Sequence, residues 1–391
     1  MGKILDAMTM LVRYALCGRE IDASVINGII SSDDYGHLYS LATHHDMAHL
    51  LGFALSELGL LSDDEISKKF RKAYFVSHHR YLGIEYELNE VKGLLSSEGI
   101  VHVPLKGSVI RGYYKEGWMR TSCDIDVLVH KEDIEPAVAL LTERLGYTVE
   151  KKSFHDVSLF SKGGVNLELH FSLIESSNYK SVVALLGEVW NYAHPSGEGA
   201  TYILSDDFFY FYHVAHMLKH FVNGGCGVRS FVDLWILDNI QGSDKEGREK
   251  LLSSVGIDEF ARRSSHLAAI WMQGLSSDEF YDKLARLVIA GGVYGEEGQS
   301  VLIQSTRRGS KFKYLMSRIF MPYEPLSRIF PVLKKHKWLT PVFEVVRWFK
   351  LIFGGRLRYS IDEIKHNASI DEDTAKEAES VLSTLGILDN K

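Results

Sequence analysis

Residues 124–129 read Asp-Ile-Asp-Val-Leu-Val. Strand period turns Asp124 and Asp126 to one face, roughly 6–7 Å apart along the chain, and turns Ile125 and Val127 to the other. A strand that buries one side and lines up two carboxylates on the other needs a core on the first side and a cation or solvent on the second. Two carboxylates held side by side repel one another unless positive charge sits between them.

The surrounding sequence supplies the core. Val101, Val103 and Leu105 alternate as a short strand does, and Lys106-Gly107-Ser108 reads as a turn followed by one or two helical turns over Val109 to Tyr114. Asp133 to Leu145 has helical period and ends at Gly146. Val157 to Phe160 and Val165 to Phe171 read as neighbouring strands joined through Lys162-Gly163-Gly164. Mixed strands and helices over this length predict an α/β (α+β) unit spanning residues 101–204. Helical regions flank it at residues 1–100 and 205–391.

Glu168 lies between Leu167 and Leu169 on the later strand. If that strand neighbours residues 124–129, it adds a third carboxylate to the first two. Hard oxygen ligands of this kind suit Mg²⁺, which takes one or two carboxylates together with substrate phosphates. Gly107 and Ser108 follow a strand and open a helix, where backbone N–H groups and a hydroxyl can meet phosphate. Lys106 and Arg120 are nearby cations able to bind the same charge. His170 shares the strand face of Glu168, suited to orient an acceptor, to act as a base, or to hydrogen-bond a carboxylate. Each piece alone is common. The ordered set is not.

The flanks read as scaffold. Ile4, Met8, Leu11 and Ala15 recur at helical spacing, Tyr39 to Leu58 predicts one further buried helix, and Ser62-Asp63-Asp64-Glu65 opens a long helix toward Ser96. His44, His45, His49, His78 and His79 read as structural residues of these helices. His213, His216 and His220 share a helical face, and a packed or site-facing polar surface suits them better than zinc. Arg229 and Asp233, four apart, predict a helical ion pair. Gly291-Gly292 and Gly354-Gly355 punctuate the C-terminal helices, Asp371 to Lys391 reads as an acidic helix and tail, and Thr340-Pro341 reads as an N-cap and first helical residue.

Charge is uneven. Residues 307–358 hold 13 Lys and Arg against Glu324 and Glu344, a net +11 within a chain of net −7. Such a block suits phosphate, nucleic acid or an anionic membrane surface. The helix from Pro341 to Phe353 is apolar with Arg347 and Lys350 interspersed, and burial against the helical region is its expected fate. Three separated cysteines argue against a disulfide framework or a cysteine zinc site. No window reaches the ~18 uninterrupted apolar residues of a membrane span. The N-terminus reads as an amphipathic helix rather than a signal peptide, so a cytoplasmic protein is expected.

The order Gly-Ser, Asp-x-Asp, third acid resembles the polymerase-beta-like nucleotidyltransferase superfamily, and more closely its bacterial "uncharacterised nucleotidyltransferase" family. The residues that carry the resemblance are Leu105-Lys106-Gly107, Arg120, Asp124 to Val129, Gly146-Tyr147 and Glu168-Leu169-His170. A looser likeness runs through His213, His216, His220, Arg229 and Asp233, and through residues 331–353. Fifteen residues, 109–123, separate Ser108 from Asp124, at the long end of the superfamily's usual spacing.

The resemblance implies a mixed sheet with the aspartates and the glutamate on adjacent strands. It also implies transfer of a nucleoside monophosphate from a nucleoside triphosphate to a hydroxyl acceptor on a small molecule, protein or nucleic acid. Asp124, Asp126 and Glu168 would be the catalytic and metal-ligating set for Mg²⁺ or Mn²⁺, and Lys106, Gly107, Ser108 and Arg120 would bind the nucleotide. Two other classes remain open on sequence: a catalytically silent nucleotide- or partner-binding protein, and a membrane-peripheral assembly factor using the basic segment.

Overall fold

A computed structural model describes residues 2–18, 21–174, 179–293, 295–353 and 357–388. Gly354-Gly355 and the last three residues of the acidic tail lie outside this set. The chain forms two compact units, Met1–Lys219 with Gly227–Ser277, and His220–Cys226 with Asp278–Lys391.

In the first unit the helices α1 (Gly2–Cys17), α2 (Tyr35–His44), α3 (Ala48–Glu57) and α4 (Glu65–Ser97) precede the sheet. The single helix expected over Tyr39 to Leu58 is instead two. The break falls at Asp46, a non-glycine residue at φ +54°, a conformation that ends an α-helix. α4 opens on Asp64, whose carboxylate accepts from the N–H groups of Ile66 and Ser67 at 2.8 and 2.9 Å.

Among the described residues seven strands follow: β1 (His102–Pro104), β2 (Asp124–Val129), β3 (Thr148–Lys152), β4 (Asp156–Phe160), β5 (Asn166–His170), β6 (Ala193–Pro195) and β7 (Tyr202–Leu204). The first five form one mixed sheet in the order β1-β2-β5-β4-β3. Only the β2–β5 pair within it is parallel. The fold is therefore the α/β (α+β) mixed sheet expected, with helical regions at both ends.

One sheet face is the core. Ile84, Leu88, Val91 and Leu95 form the apolar stripe of α4. They pack with Ile125, Val127, Val129, Leu167 and Leu169, and with Ala137 and Leu141 from the helix α5 (Ile134–Leu140) and the turn after it. The five strand side chains are 0% exposed. Each withdrawal from water is worth about 1.5–3 kcal/mol. Gly146, at φ +70°, ends the helical run and returns the chain to β3. Because side chains alternate along β2 and β5, that apolar face leaves Asp124, Asp126, Glu168 and His170 on the opposite one.

Three helices follow: α6 (Asp206–Val222) brings Tyr212 and Lys219 into the field of Asp126 and Glu168, α7 (Gly227–Asp238) carries Asp233, the partner of Arg120, and α8 (Asp258–Gln273) packs on α7. The second unit is helical and includes α9 (Thr340–Phe353). Thr340 is already helical there, and its hydroxyl donates to the Lys337 carbonyl at 2.5 Å instead of capping the helix. Among the described residues no helix is long and apolar enough to cross a membrane.

Candidate active site

β2 and β5 run parallel with Asp126 opposite Glu168 and Asp124 opposite Asn166. The third carboxylate thus stands beside the second, as the neighbouring-strand condition required. His170 reaches across from β5, its Nε2 2.8 Å from Asp126 Oδ1 and 3.5 Å from Glu168 Oε2. Among the described residues, Asp126, Glu168 and His170 form the one group of three or more acidic, His or Cys side chains whose donor atoms lie close enough to share an ion, all within 4.8 Å. Asp124 is not part of that tight group, although it lies on the same strand face. His213, His216 and His220 do not gather into such a set, and His213 Nε2 instead faces the Ser230 carbonyl at 3.3 Å.

The turn that leads into the site is built against conformational preference. Ser108 N–H donates to the Leu105 carbonyl at 3.0 Å, closing a β-turn whose second residue, Lys106, has φ +45° and ψ −123°. That is the glycine position of a type II′ turn. Lysine there costs on the order of 1–3 kcal/mol. What it gains is position: Lys106 Nζ lies 2.8 Å from Asp126 Oδ1, the same oxygen His170 engages. Gly107 is closely covered, since a Cβ there would stand 3.1 Å from Ser122 Cβ. Ser108 Oγ and His170 Nδ1 are buried polar atoms without a hydrogen-bond partner.

Electrostatics set the carboxylates apart. Burial pushes Asp126 up, but Lys106 and then His170 outweigh it and hold its carboxyl well below the usual range. Asp124 is pushed up to about 6, by burial first and then by the charges of Asp126 and Glu168. Lys106 is desolvated, yet the Asp126 charge raises it, so it stays protonated. His170 is likewise raised: its bonds to Asp126 and Glu168 overcome burial. A buried cluster in which one acid is driven toward neutrality by its neighbours has room in its charge balance for a cation.

Arg120, expected on a nucleotide, is held by Asp233. Its Nε lies 2.9 and 3.0 Å from the two carboxylate oxygens of Asp233, its Nη2 lies 2.8 Å from Oδ2, and its Nη1 donates to the Thr121 carbonyl. Tyr114 OH donates to the same Asp233 at 2.7 Å. The predicted Arg229–Asp233 helical pair is therefore absent. Asp233 is taken by Arg120, and Arg229 pairs with Asp46, which also accepts from Thr121 Oγ1 at 2.8 Å. Arg120–Asp233 ties the loop before β2 to α7, and Asp46, in the turn between α2 and α3, is shared by that loop through Thr121 and by α7 through Arg229.

Sequence reasoning passed over three groups here. Arg111 threads the loop, donating to the Gly107 carbonyl at 2.8 Å, to Ser122 Oγ at 2.6 Å and to Glu85 at 3.1 Å. Tyr212 and Lys219 of α6 stand in the field of the carboxylates. Burial first, and Lys106 second, lower Lys219 to about 8, with Glu168 and Asp126 opposing. Tyr212 is raised by burial and by Asp126, Glu168 and Asp124, against Lys106. Their spacing of seven, one helical face, was the available signal. Two of the helical histidines make packing contacts: His49 Nε2 meets the Met119 carbonyl at 2.9 Å, and His78 stacks on Trp118.

A mixed sheet with acids on two adjacent strands, fed by a Gly-Ser turn, defines the core of a nucleotidyltransferase. The chain belongs to the uncharacterised nucleotidyltransferase family, whose profile matches residues 31–273. No curated protein and no solved structure matches it. The matched span contains the sheet, the acidic face, Lys106 and the Arg120–Asp233 and Arg229–Asp46 ion pairs. Family membership supports nucleotidyl transfer as the general class of chemistry.

Proposed function

We propose that the protein transfers a nucleoside monophosphate from a nucleoside triphosphate to a hydroxyl acceptor, with a divalent cation held by Asp124, Asp126 and Glu168. The observation that carries this reading is the parallel register of Asp126 against Glu168, which brings acids from two strands onto one sheet face. Asp126 and Glu168 already stand, with His170, in a donor group spanning no more than 4.8 Å that fits a hard divalent ion, and Asp124 would join it from the same strand face. Its oxygens suit Mg²⁺, and His170 beside them is compatible with Mn²⁺. Such an ion supplies charge neutralisation at the triphosphate and favours ionisation of the acceptor hydroxyl.

The chain's own residues then divide the work. Ser108 Oγ, buried without a partner, is a donor available to phosphate oxygen, and the Gly107 backbone lies beside it. Lys106 brings positive charge to the same place and switches between Asp126 and phosphate. Glu168 is the carboxylate open to the acceptor: its side chain is 30% accessible, against 2% for Asp126. The acceptor oxygen bonds to the α-phosphorus, the bridge to the β-phosphate breaks, pyrophosphate leaves, and Glu168 takes the hydroxyl proton. His170 holds Asp126 in place. Arg120 and Arg111 hold the loop and do not touch the nucleotide.

The test is calorimetric titration of each nucleoside triphosphate with and without Mg²⁺ or Mn²⁺, on native protein and on the Asp124→Ala/Asp126→Ala double variant. Binding that needs both metal and aspartates supports the reading and identifies the preferred base. Folded native protein that binds no triphosphate under any metal overturns it in favour of a silent scaffold.

A further inference from the structure

The helix α9 is apolar on two faces, and only one is used. Its inner side packs Phe343 and Val346, with Leu339 just before the helix, against a small core of Leu326, Phe330 and Leu333. Arg347 and Trp348 fix this packing by donating to the Ile319 carbonyl at 2.7 and 3.2 Å. The outer side was expected to be buried and is not. Trp338, Val342, Val345, Phe349, Ile352 and Phe353 are 51–81% exposed. Trp338 stands just before the helix, and at 100° per residue the five on α9, Val342, Val345, Phe349, Ile352 and Phe353, form one unbroken stripe about 100° wide. The Phe349 and Phe353 rings stand parallel, 6.1 Å apart, and both are largely exposed.

Lysines adjoin this stripe. Lys334, Lys335 and Lys337 are exposed immediately before Trp338, and the surrounding segment carries the net +11 counted above. Exposed aliphatic and aromatic side chains beside a lysine cluster match a surface that is oily inside and negatively charged at its boundary. We propose that this outer face of α9 docks the protein on an anionic lipid bilayer, lying in the plane of the headgroups with the lysines on the phosphates. Such helices pair burial of an apolar face with attraction to anionic lipid.

Two other occupants fit less well. A second copy would bring one +11 segment against another, and like charge opposes that association. Single-stranded nucleic acid would satisfy the lysines and stack on Trp338 and the phenylalanines. It would leave Val342, Val345 and Ile352 in water, because aliphatic side chains offer no stacking face.

The experiment is co-sedimentation of the full chain with vesicles of phosphatidylcholine alone or with about one-third phosphatidylglycerol, at about 0.15 M and about 0.5 M salt. The variants are Val345→Asp/Phe349→Asp and Lys334→Glu/Lys335→Glu/Lys337→Glu, all at exposed positions, with thermal melts confirming that both fold. The native chain is expected to bind the anionic vesicles preferentially and to lose binding at high salt. The apolar variant should lower the bound fraction at least about tenfold, and the lysine variant about a hundredfold. No binding to anionic vesicles, or equal binding by native protein and variants, overturns the proposal. So does a native chain that ignores vesicles but dimerises, or shifts single-stranded RNA, in a manner the apolar variant abolishes.

Discussion

Lys106 Nζ and Asp126 Oδ1 are 2.8 Å apart, and the lysine reaches that oxygen from a left-handed backbone position. The turn and the ion pair are thus one device. The backbone departs from its preferred conformation so that a buried cation can stand on the central carboxylate of the sheet.

Replacing that lysine separates conformation from charge. Lys106→Ala keeps the unfavourable φ and removes a partner of a buried carboxylate, so thermal stability should fall by about 2–4 kcal/mol. Lys106→Gly removes the same charge but suits the turn, and should recover about 1 kcal/mol of that loss. Both should lose triphosphate affinity equally. Chemical denaturation and calorimetry of the two variants check this, and equal stabilities would contradict the strain.

Ser108→Ala tests the unpartnered hydroxyl. No hydrogen bond is lost in the free protein, so the melting midpoint should hold or rise slightly, within about 0.5 kcal/mol. Triphosphate affinity should drop about tenfold, the worth of one hydrogen bond to a charged oxygen. A variant with unchanged affinity would remove Ser108 from the site.

Asp124 predicts a pH dependence. Its folded value near 6 lies above an ordinary aspartate. Metal binding must displace that proton, so Mg²⁺ or Mn²⁺ affinity should be flat above about pH 7 and fall about tenfold per unit below pH 6. The raised value has the opposite sign for the metal-free fold. Between about pH 4 and 6 the folded state holds a proton that the unfolded chain has released, so this group's contribution to stability declines as pH rises through that window. Asp124→Asn should abolish both effects, as followed by metal titration and by melts across pH.

The Arg120–Asp233 pair should behave as a buried salt bridge broken on one side. Asp233→Ala leaves the Arg120 guanidinium without its carboxylate, at a cost of about 3–5 kcal/mol. Arg120→Met with Asp233→Leu should be much milder than the sum of the single changes, giving a coupling energy above about 1 kcal/mol in a double-mutant cycle. Additive effects would mean that the two do not act together.

How much of this could be read beforehand depended on range. The alternation through Asp124 to Val129, the leucines either side of Glu168 and the glycine after Leu145 are local, and each led to the element found. Asp46 ending a helix was not legible, because the left-handed residue is an aspartate whose carboxylate pairs with Arg229. Arg229 was read toward Asp233 because the two are four apart, yet Asp233 pairs with Arg120 and Arg229 with Asp46. That reading used sequence distance where spatial distance decided.

By itself the sequence determined the periods, and with them the sheet, its acidic face and the family. Strand and helix periods follow from backbone geometry and from which side chains leave water, and both are written residue by residue. Tertiary structure alone decided that β5 lies parallel to β2, that Asp233 belongs to Arg120, and that one apolar face of α9 is covered while the other is bare. Those outcomes depend on which distant segments meet. A carboxylate with two candidate cations, or a helix with two oily faces, carries no local mark of which it will satisfy.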